Sequence, residues 1–249
     1  DLKKIILDLP IETILDWKIF KMWKANIITL LPNAYPGLLG MSIVGRALNR
    51  KLWNMNIVNI REFSNKNGKI DDPPFGGGPG MIIRPEVLDK AIISVSDDHF
   101  PKYYLSPRGK KFDQNMAYKI SKEKGGTFIC GRYEGIDQRV IDFHKLIEIS
   151  IGDYVISGGD LALMVMLDTI VRLIPDVMGN KEGLDEESFK NHLLEYPLFT
   201  QPRKWKEIEV PEILTSGNHK KIKDWKIKQS ESITRERRPD LWKKYLKSK

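Results

Sequence analysis

Apolar residues fall along this chain in short runs separated by glycine and proline, and the runs alternate between strand length and helix length. Ala25 to Leu31 is an apolar run stopped by Pro32-Asn33, which predicts a strand. Ser42 to Leu52 follows with helical character, and Met55 to Ile60 with that of a second strand. Arg84 to Val95 predicts a helix that tolerates Pro85 in its first turn. Lys102 to Leu105 predicts a strand halted by Ser106-Pro-Arg-Gly109, Phe112 to Glu123 a helix, and Thr127 to Cys130 a strand ending in the turn Gly131-Arg-Tyr-Glu-Gly135. Leu146 to Ser150 reads as one more buried strand, and Leu161 to Ile174 as a long, very apolar helix. Strand, glycine turn and helix in repeated order predict an α/β fold with a mainly parallel sheet.

Ligands of such sheets bind where loops leave the carboxyl ends of strands. Three loops fit: Ser106 to Gly109, Gly131 to Gly135, and Ile151 to Gly159. The third carries Gly152, Gly158 and Gly159, which admit close approach to bare backbone amides. It has neither the Gly-Lys-Ser/Thr of a phosphate loop nor G-x-G-x-x-G spacing. Alone it reads as well as an ordinary turn; the convergence of three loops favours a site. Ile70-Asp-Asp-Pro-Pro-Phe-Gly-Gly-Gly-Pro-Gly80 is too rich in breakers for a regular element, and reads either as a mobile loop or as a ligand loop.

The pattern changes after Pro175. Gly179 to Glu187 is polar, and from Leu193 onward 15 Lys/Arg stand against 8 Asp/Glu, which is +7 of the total +8. Net charge of this sign suits an acidic partner such as nucleic acid, although a lysine-rich proteome would give it too. Ser216-Gly-Asn-His219 predicts the cap of a helix from Lys220 to about Thr234, with lysines interleaved around Trp225. Lys220, Lys223 and Lys226, with Arg235, Arg237 and Arg238, are the candidate grip on an RNA backbone; solvated surface charge is the plainer alternative.

Other chemistries find little support. Cys130 is the single cysteine, which excludes a disulfide framework and a cysteine-based zinc cluster. His99, His144, His192 and His219 lack metal-ligand spacing, so no metal ligand is assigned. No run of about 20 apolar residues predicts a membrane span. Asp1 to Lys21 lacks the order of a signal peptide and reads as a leader or extension, with Met22 as the expected natural start. Asp168 and Arg172 stand four apart on the apolar helix, as an ion pair or as a functional cation with a neighbour.

Gly-Gly-Gly-Pro-Gly-Met81, Tyr-Leu-Ser-Pro-Arg-Gly109, Cys-Gly-Arg-Tyr-Glu-Gly-Ile-Asp137, Ser-Ile-Gly-Asp-Tyr-Val-Ile-Ser-Gly-Gly159 and Ser-Gly-Asn-His219 occur in one order over Met22 to Leu241. In these motifs the chain resembles the bacterial tRNA guanine-N1 methyltransferases, which act on guanine at tRNA position 37. The resemblance implies a trefoil-knotted SPOUT domain over 22–178, a linker over 179–192 and a small helical, basic tRNA-binding domain over 193–249. It implies S-adenosylmethionine as methyl donor, a magnesium requirement with no dedicated site marked in the sequence, a cytoplasmic location, and an obligate homodimer with shared active sites. Carried over by motif, Tyr104, Leu105, Ser106 and Pro107 form one wall of the cofactor site, and Gly131, Tyr133 and Glu134 a second. Ile151, Gly152, Tyr154, Ile156, Gly158 and Gly159 close around the adenine.

The same resemblance assigns Glu187 as the base at guanine N1, Arg172 as the cation near O6, and Asp71 as a residue holding the target guanine. Glu187 is expected to become ordered when substrate arrives, because its surroundings have no apolar periodicity. Three departures stand out. The family base is usually aspartate. The family loop reads Asp-Asp-Arg-Pro-Tyr where this chain has Asp71-Asp72-Pro73-Pro74-Phe75, and Ala162 replaces a usual proline. A knotted methyltransferase of another RNA, and an RNA-binding protein without catalysis, remain as alternatives.

Overall fold

The computed structural model describes residues 22–65, 67–96, 100–179 and 187–249. The leader 1–21, His99 and most of the expected linker, 180–186, lie outside the described residues. Two compact units result, one ending at Met178 and one starting at Gly179.

The first unit runs β1 (Trp23–Thr29), α1 (Ser42–Asn49), β2 (Trp53–Asn59), β3 (Asp71–Asp72), β4 (Ile82–Ile83), α2 (Pro85–Ile93), β5 (Lys102–Lys111), α3 (Gln114–Lys122), β6 (Gly125–Cys130), α4 (Gln138–His144), β7 (Ile147–Ser150) and α5 (Gly159–Val171). Five strands form one sheet in the order β2-β1-β6-β5-β7, with every ladder parallel. Successive side chains on a strand point to opposite faces. Ile27, Tyr103 and Phe128 therefore enter a core with α1, α3 and α5. Their neighbours Ile28, Tyr104 and Ile129 enter a second core with α2 and α4. Helices on both faces explain why the strands read as continuous apolar runs. Fully buried Trp53 and Phe128 are each worth about 1.5–3 kcal/mol by burial.

Several expectations shift. β5 does not end at Leu105: Ile149 of β7 pairs with Leu105 and again with Lys110, so Ser106 to Gly109 is a four-residue excursion after which the strand resumes. The stretch around Asp71, expected to be irregular, contains β3, which pairs antiparallel with β4. Two ladder positions suffice because Arg84 N–H also bonds Ile70 O at 2.9 Å. β6 starts at Gly125-Gly126, where side chains would not fit; a Cβ at Gly125 would overlap Lys24 O. Helix α3 begins at Gln114, since Asp113 caps it by accepting from Met116 N–H at 2.8 Å, a bond worth about 1 kcal/mol.

In the second unit, Lys204–Trp205 pairs with Ile208–Glu209 and a one-turn helix spans Glu212–Thr215. Helices α6 (His219–Arg237) and α7 (Pro239–Ser248) follow. Asn218 caps α6 by accepting from Lys221 N–H at 3.1 Å, as the Ser-Gly-Asn-His motif predicted. Leu241 and Tyr245 are buried, and the Tyr245 hydroxyl donates to Glu231 Oε1 at 2.5 Å, joining α7 to α6.

Candidate active site

Parallel register brings three strand ends to one level. Leu105 of β5 pairs with Cys130 of β6 and with Ile149 of β7, so the loops that follow start side by side. Between them lies a cavity of about 260 Å³. Tyr104, Leu105, Ser106 and Pro107 form one wall, and Gly131, Tyr133 and Glu134 the next. Ile151, Gly152, Tyr154, Ile156, Gly158 and Gly159 close it. The cavity thus gathers every residue that the motifs single out for the cofactor. It also takes in Arg132, Gly135, Ile149, Ser150, Val155, Ser157 and Ala162. All of these but Ile149 and Ala162 lie within the quoted motifs, and Ala162 stood out only as the replacement of a usual proline.

The loops hold one another through backbone atoms. Gly159 N–H donates to Gly131 O at 2.9 Å. A Cβ at Gly159 would sit 2.9 Å from Cys130 Cα and 3.0 Å from Gly131 N, so only glycine fits. At Gly158 the nearest obstacles are Arg132 Cδ at 2.6 Å and Gly131 O at 3.1 Å. Ser150 Oγ accepts from Gly152 N–H at 3.2 Å and donates to Gly152 O at 3.1 Å, bracing the third loop. Tyr133 holds φ +59°, a conformation costly for a bulky residue and one that clusters at ligand sites. Burial pushes the Tyr104 phenol up, against a smaller opposing pull from Arg108.

A second cavity, of about 560 Å³, adjoins the first and shares Tyr104, Ser106, Pro107 and Glu134 with it. Its other side is the glycine loop, where Phe75 is 99% exposed, together with Arg108, Asp137 and Gln138. The loop is tied to the wall formed by Gly131 to Gly135: Glu134 N–H donates to Met81 O at 3.0 Å and Ile83 N–H to Gly135 O at 3.1 Å. Gly80 at φ +82° lies under the Glu134 side chain with no room for a Cβ. Of the two adjacent carboxylates, Asp72 is engaged with Lys69 and with Arg84 Nη1 at 2.7 Å. The Lys69 hydrogen bond, and then the two cations' charge, hold it below the usual carboxylate range. Asp71 stands half-buried in β3 with no such ion pair among the described residues.

Arg172 caps the carboxyl end of α5, half-buried, its N–H on Asp168 O at 3.4 Å. It lines neither cavity. Helix α5 puts it about 20 Å from the cradle glycines, at 1.5 Å per residue. Glu187 belongs to the second unit. A turn follows it: Phe189 N–H bonds Leu193 O at 2.7 Å and Ser188 Oγ accepts from Glu195 N–H at 2.9 Å. On α6, Lys220, Lys223, Arg235 and Arg237 are exposed, and Lys226 lies 4.5 Å over the Tyr196 ring. Arg238 is half-buried and pairs with Asp240 at 2.6 Å; its hydrogen bond pulls the Asp240 carboxyl down to about 2. Among the described residues no group of three His, Cys, Asp or Glu side chains forms a metal site, and no helix is long and apolar enough to cross a membrane.

Residues 23–244 match the family described as tRNA (Guanine-1)-methyltransferase TrmD. A tRNA (guanine-N(1)-)-methyltransferase of Pelagibacter ubique is 48% identical over 228 residues, covering 91% of this chain and 100% of that protein. The protein of the same name in Rhodospirillum rubrum is 49% identical over 224 residues, covering 90% and 94%. That of Ehrlichia canis is 47% identical over 220 residues, covering 87% and 94%.

Proposed function

The chain belongs to the tRNA (guanine-1)-methyltransferase family, and on that footing we propose that it methylates N1 of guanine 37 of tRNA, beside the anticodon, with S-adenosyl-L-methionine as donor. The fold is then the family's trefoil-knotted SPOUT domain carrying a basic tRNA-binding unit. One observation carries the reading: three loops that leave adjacent strand ends meet at one cavity, with Gly131, Gly135, Gly152, Gly158 and Gly159 in its lining. Bare amides and carbonyls suit the edge of a purine, and Leu105, Ile149, Ile151, Ile156 and Ala162 supply apolar surface for its faces. The cavity residues therefore fit the cofactor, which when bound supplies a methyl group already activated on a sulfonium.

The remaining work falls to side chains. Guanine N1 carries a proton, so a base must accept it as the methyl arrives; Glu187 takes that role. Charge that develops toward O6 is met by a cation, Arg172. Asp71 accepts a hydrogen bond from the target guanine and holds it beside the cofactor cavity. Alignment of the two reactants supplies much of the acceleration. Magnesium belongs to the same reading, and its omission is expected to slow turnover. The location is cytoplasmic.

A homodimer completes the site. Two features support it: Arg172 stands a helix length from the cradle of its own chain, and large apolar side chains are left exposed both on α5, at Leu161 and Val165, and in the turn before α1, at Leu38 and Met41. Apolar surface of that kind calls for a partner. Labelled methyl transfer to total tRNA, followed by nucleoside analysis, tests the function. N1-methylguanosine is expected; RNA binding without methyl incorporation, or a different product, overturns it. A monomer with full activity in sedimentation would overturn the shared site.

A further inference from the structure

A buried polar cluster lies beneath the cradle, and methyl transfer as described uses none of it. Asp160 follows Gly159 in the first turn of α5 and is 5% exposed. Its Oδ1 accepts from Thr29 Oγ1 at 2.5 Å and from the Tyr35 hydroxyl at 3.1 Å. Its Oδ2 is buried without a hydrogen-bond partner among the described residues. The Tyr35 hydroxyl also lies 3.6 Å from Cys130 Sγ. Burial pushes both the Tyr35 phenol and the Cys130 thiol up, and the charge of Asp160 adds to it, so the carboxylate faces neutral groups.

The cluster joins elements that matter to the cavity. Thr29 ends β1, Cys130 ends β6 immediately before Gly131, and Asp160 immediately follows Gly158-Gly159. Asp160 itself does not line the cavity, although Ser157, Gly158 and Gly159 before it and Ala162 after it do. It sits in register with buried Leu163, Leu167 and Val171 on the inner stripe of α5. An apolar side chain there would serve packing at no desolvation cost, whereas a buried carboxylate is costly unless its lone pairs are filled. Two donors from separate elements fill one oxygen, which fixes direction as well as distance in a way apolar packing does not.

We infer that Asp160 is a positioning residue for cofactor binding. Anchored to Thr29 and Tyr35, it sets the height of Gly158 and Gly159 against Gly131, and hence the spacing of the backbone groups that grip the adenine. This inference rests on the cavity being the S-adenosylmethionine site.

Calorimetric titration with S-adenosylmethionine, paired with steady-state kinetics, tests it. Asp160→Ala is expected to raise both Kd and KM for the cofactor by about tenfold or more, since two hydrogen bonds to a charged group are removed. At saturating cofactor, kcat and the KM for tRNA should stay within about threefold. Asp160→Asn keeps an acceptor oxygen of the same reach and should restore affinity to within about threefold of wild type. Should Asp160→Ala fail to fold by circular dichroism, Tyr35→Phe removes one donor, keeps the ring, and should weaken binding by about threefold. A folded alanine variant with wild-type affinity, or one that loses kcat and not affinity, overturns the clamp; so does wild-type affinity in Tyr35→Phe if the alanine variant does not fold. Wild-type protein that binds no S-adenosylmethionine overturns the site assignment and the clamp together.

Discussion

On the reading proposed above, the first unit meets its ligand with glycine-rich loops at the strand ends, whose backbone amides and carbonyls are open to approach. The second would meet its ligand with ammonium and guanidinium heads on long stems, carried mostly along one helix. The two arrangements fail differently. A backbone donor cannot be deleted by substitution; it can only be blocked or displaced, so changes in the cradle act nearly all at once and are insensitive to salt. A lysine on α6 can be removed singly, each removal costs a fraction of the affinity, and the whole effect depends on ionic strength.

The largest expected effect belongs to neither mode and sharpens the contrast. Glu187→Gln should lower single-turnover methylation by roughly 10²- to 10⁴-fold, the usual worth of a general base, with both ligands still bound at wild-type affinity. Glu187→Asp should retain more activity than the glutamine variant. If Glu187→Gln methylates at the wild-type rate while Asp71→Asn does not, the base is the loop carboxylate.

Next comes the cradle. Gly159→Ala would press a methyl against the backbone of Cys130 and Gly131, which cannot move aside cheaply. Its affinity for S-adenosylmethionine should fall by about 10²-fold, while tRNA binding keeps its salt dependence. Gly158→Ala should cost less, because one of its obstacles is a flexible arginine side chain. Equal losses of tRNA affinity and cofactor affinity would break the comparison between the units.

For the basic unit, replacing Lys220, Lys223 and Lys226 together by alanine should weaken tRNA binding and flatten its log–log salt slope by about 0.7 to 0.9 for each phosphate no longer neutralised. Cofactor affinity measured in the absence of tRNA should be unchanged. An unchanged slope would move the RNA surface elsewhere.

The smallest effect concerns acid. Hydrogen bonds from Lys249 first and Tyr245 second hold the Glu231 carboxyl below its ordinary value. A depressed carboxyl contributes stability that is present above its unfolded value, about 4.3, and is lost as pH falls through the folded one. Thermal melts between pH 6 and pH 3 should therefore show wild type converging on Glu231→Gln at the acid end. A gap between the two that stays constant over this range would refute the coupling.

Much of the first unit could be read from the chain because buried parallel strands and glycine turns leave dense local signals. The misses have particular causes. Helix α7 was not predicted: Pro239 interrupts the basic run, yet it occupies the first turn of α7, where its missing N–H costs nothing. Helix α4 is too polar and short to show periodicity, and is marked only by Asp137, whose carboxylate accepts from Arg139 N–H at 2.9 Å. Gly125-Gly126 hides the start of β6, since glycine is there for want of space rather than for a turn. Asp160 escaped notice because an aspartate after two glycines looks like an ordinary helix start. Its spacing to Leu163 and Leu167 places it on the inner face and was the available clue.

The excursion of β5 carries one more consequence. Both ends of Ser106 to Gly109 pair with the same residue, Ile149, and Gly109 packs so closely on Ile149 N that a Cβ would overlap it. A loop fastened twice to one point cannot swing like a flap, so this wall is a door frame. A ligand entering the cavity meets this wall already in place, whereas the third loop carries Tyr154 and Val155 exposed to solvent, Val155 at 87%.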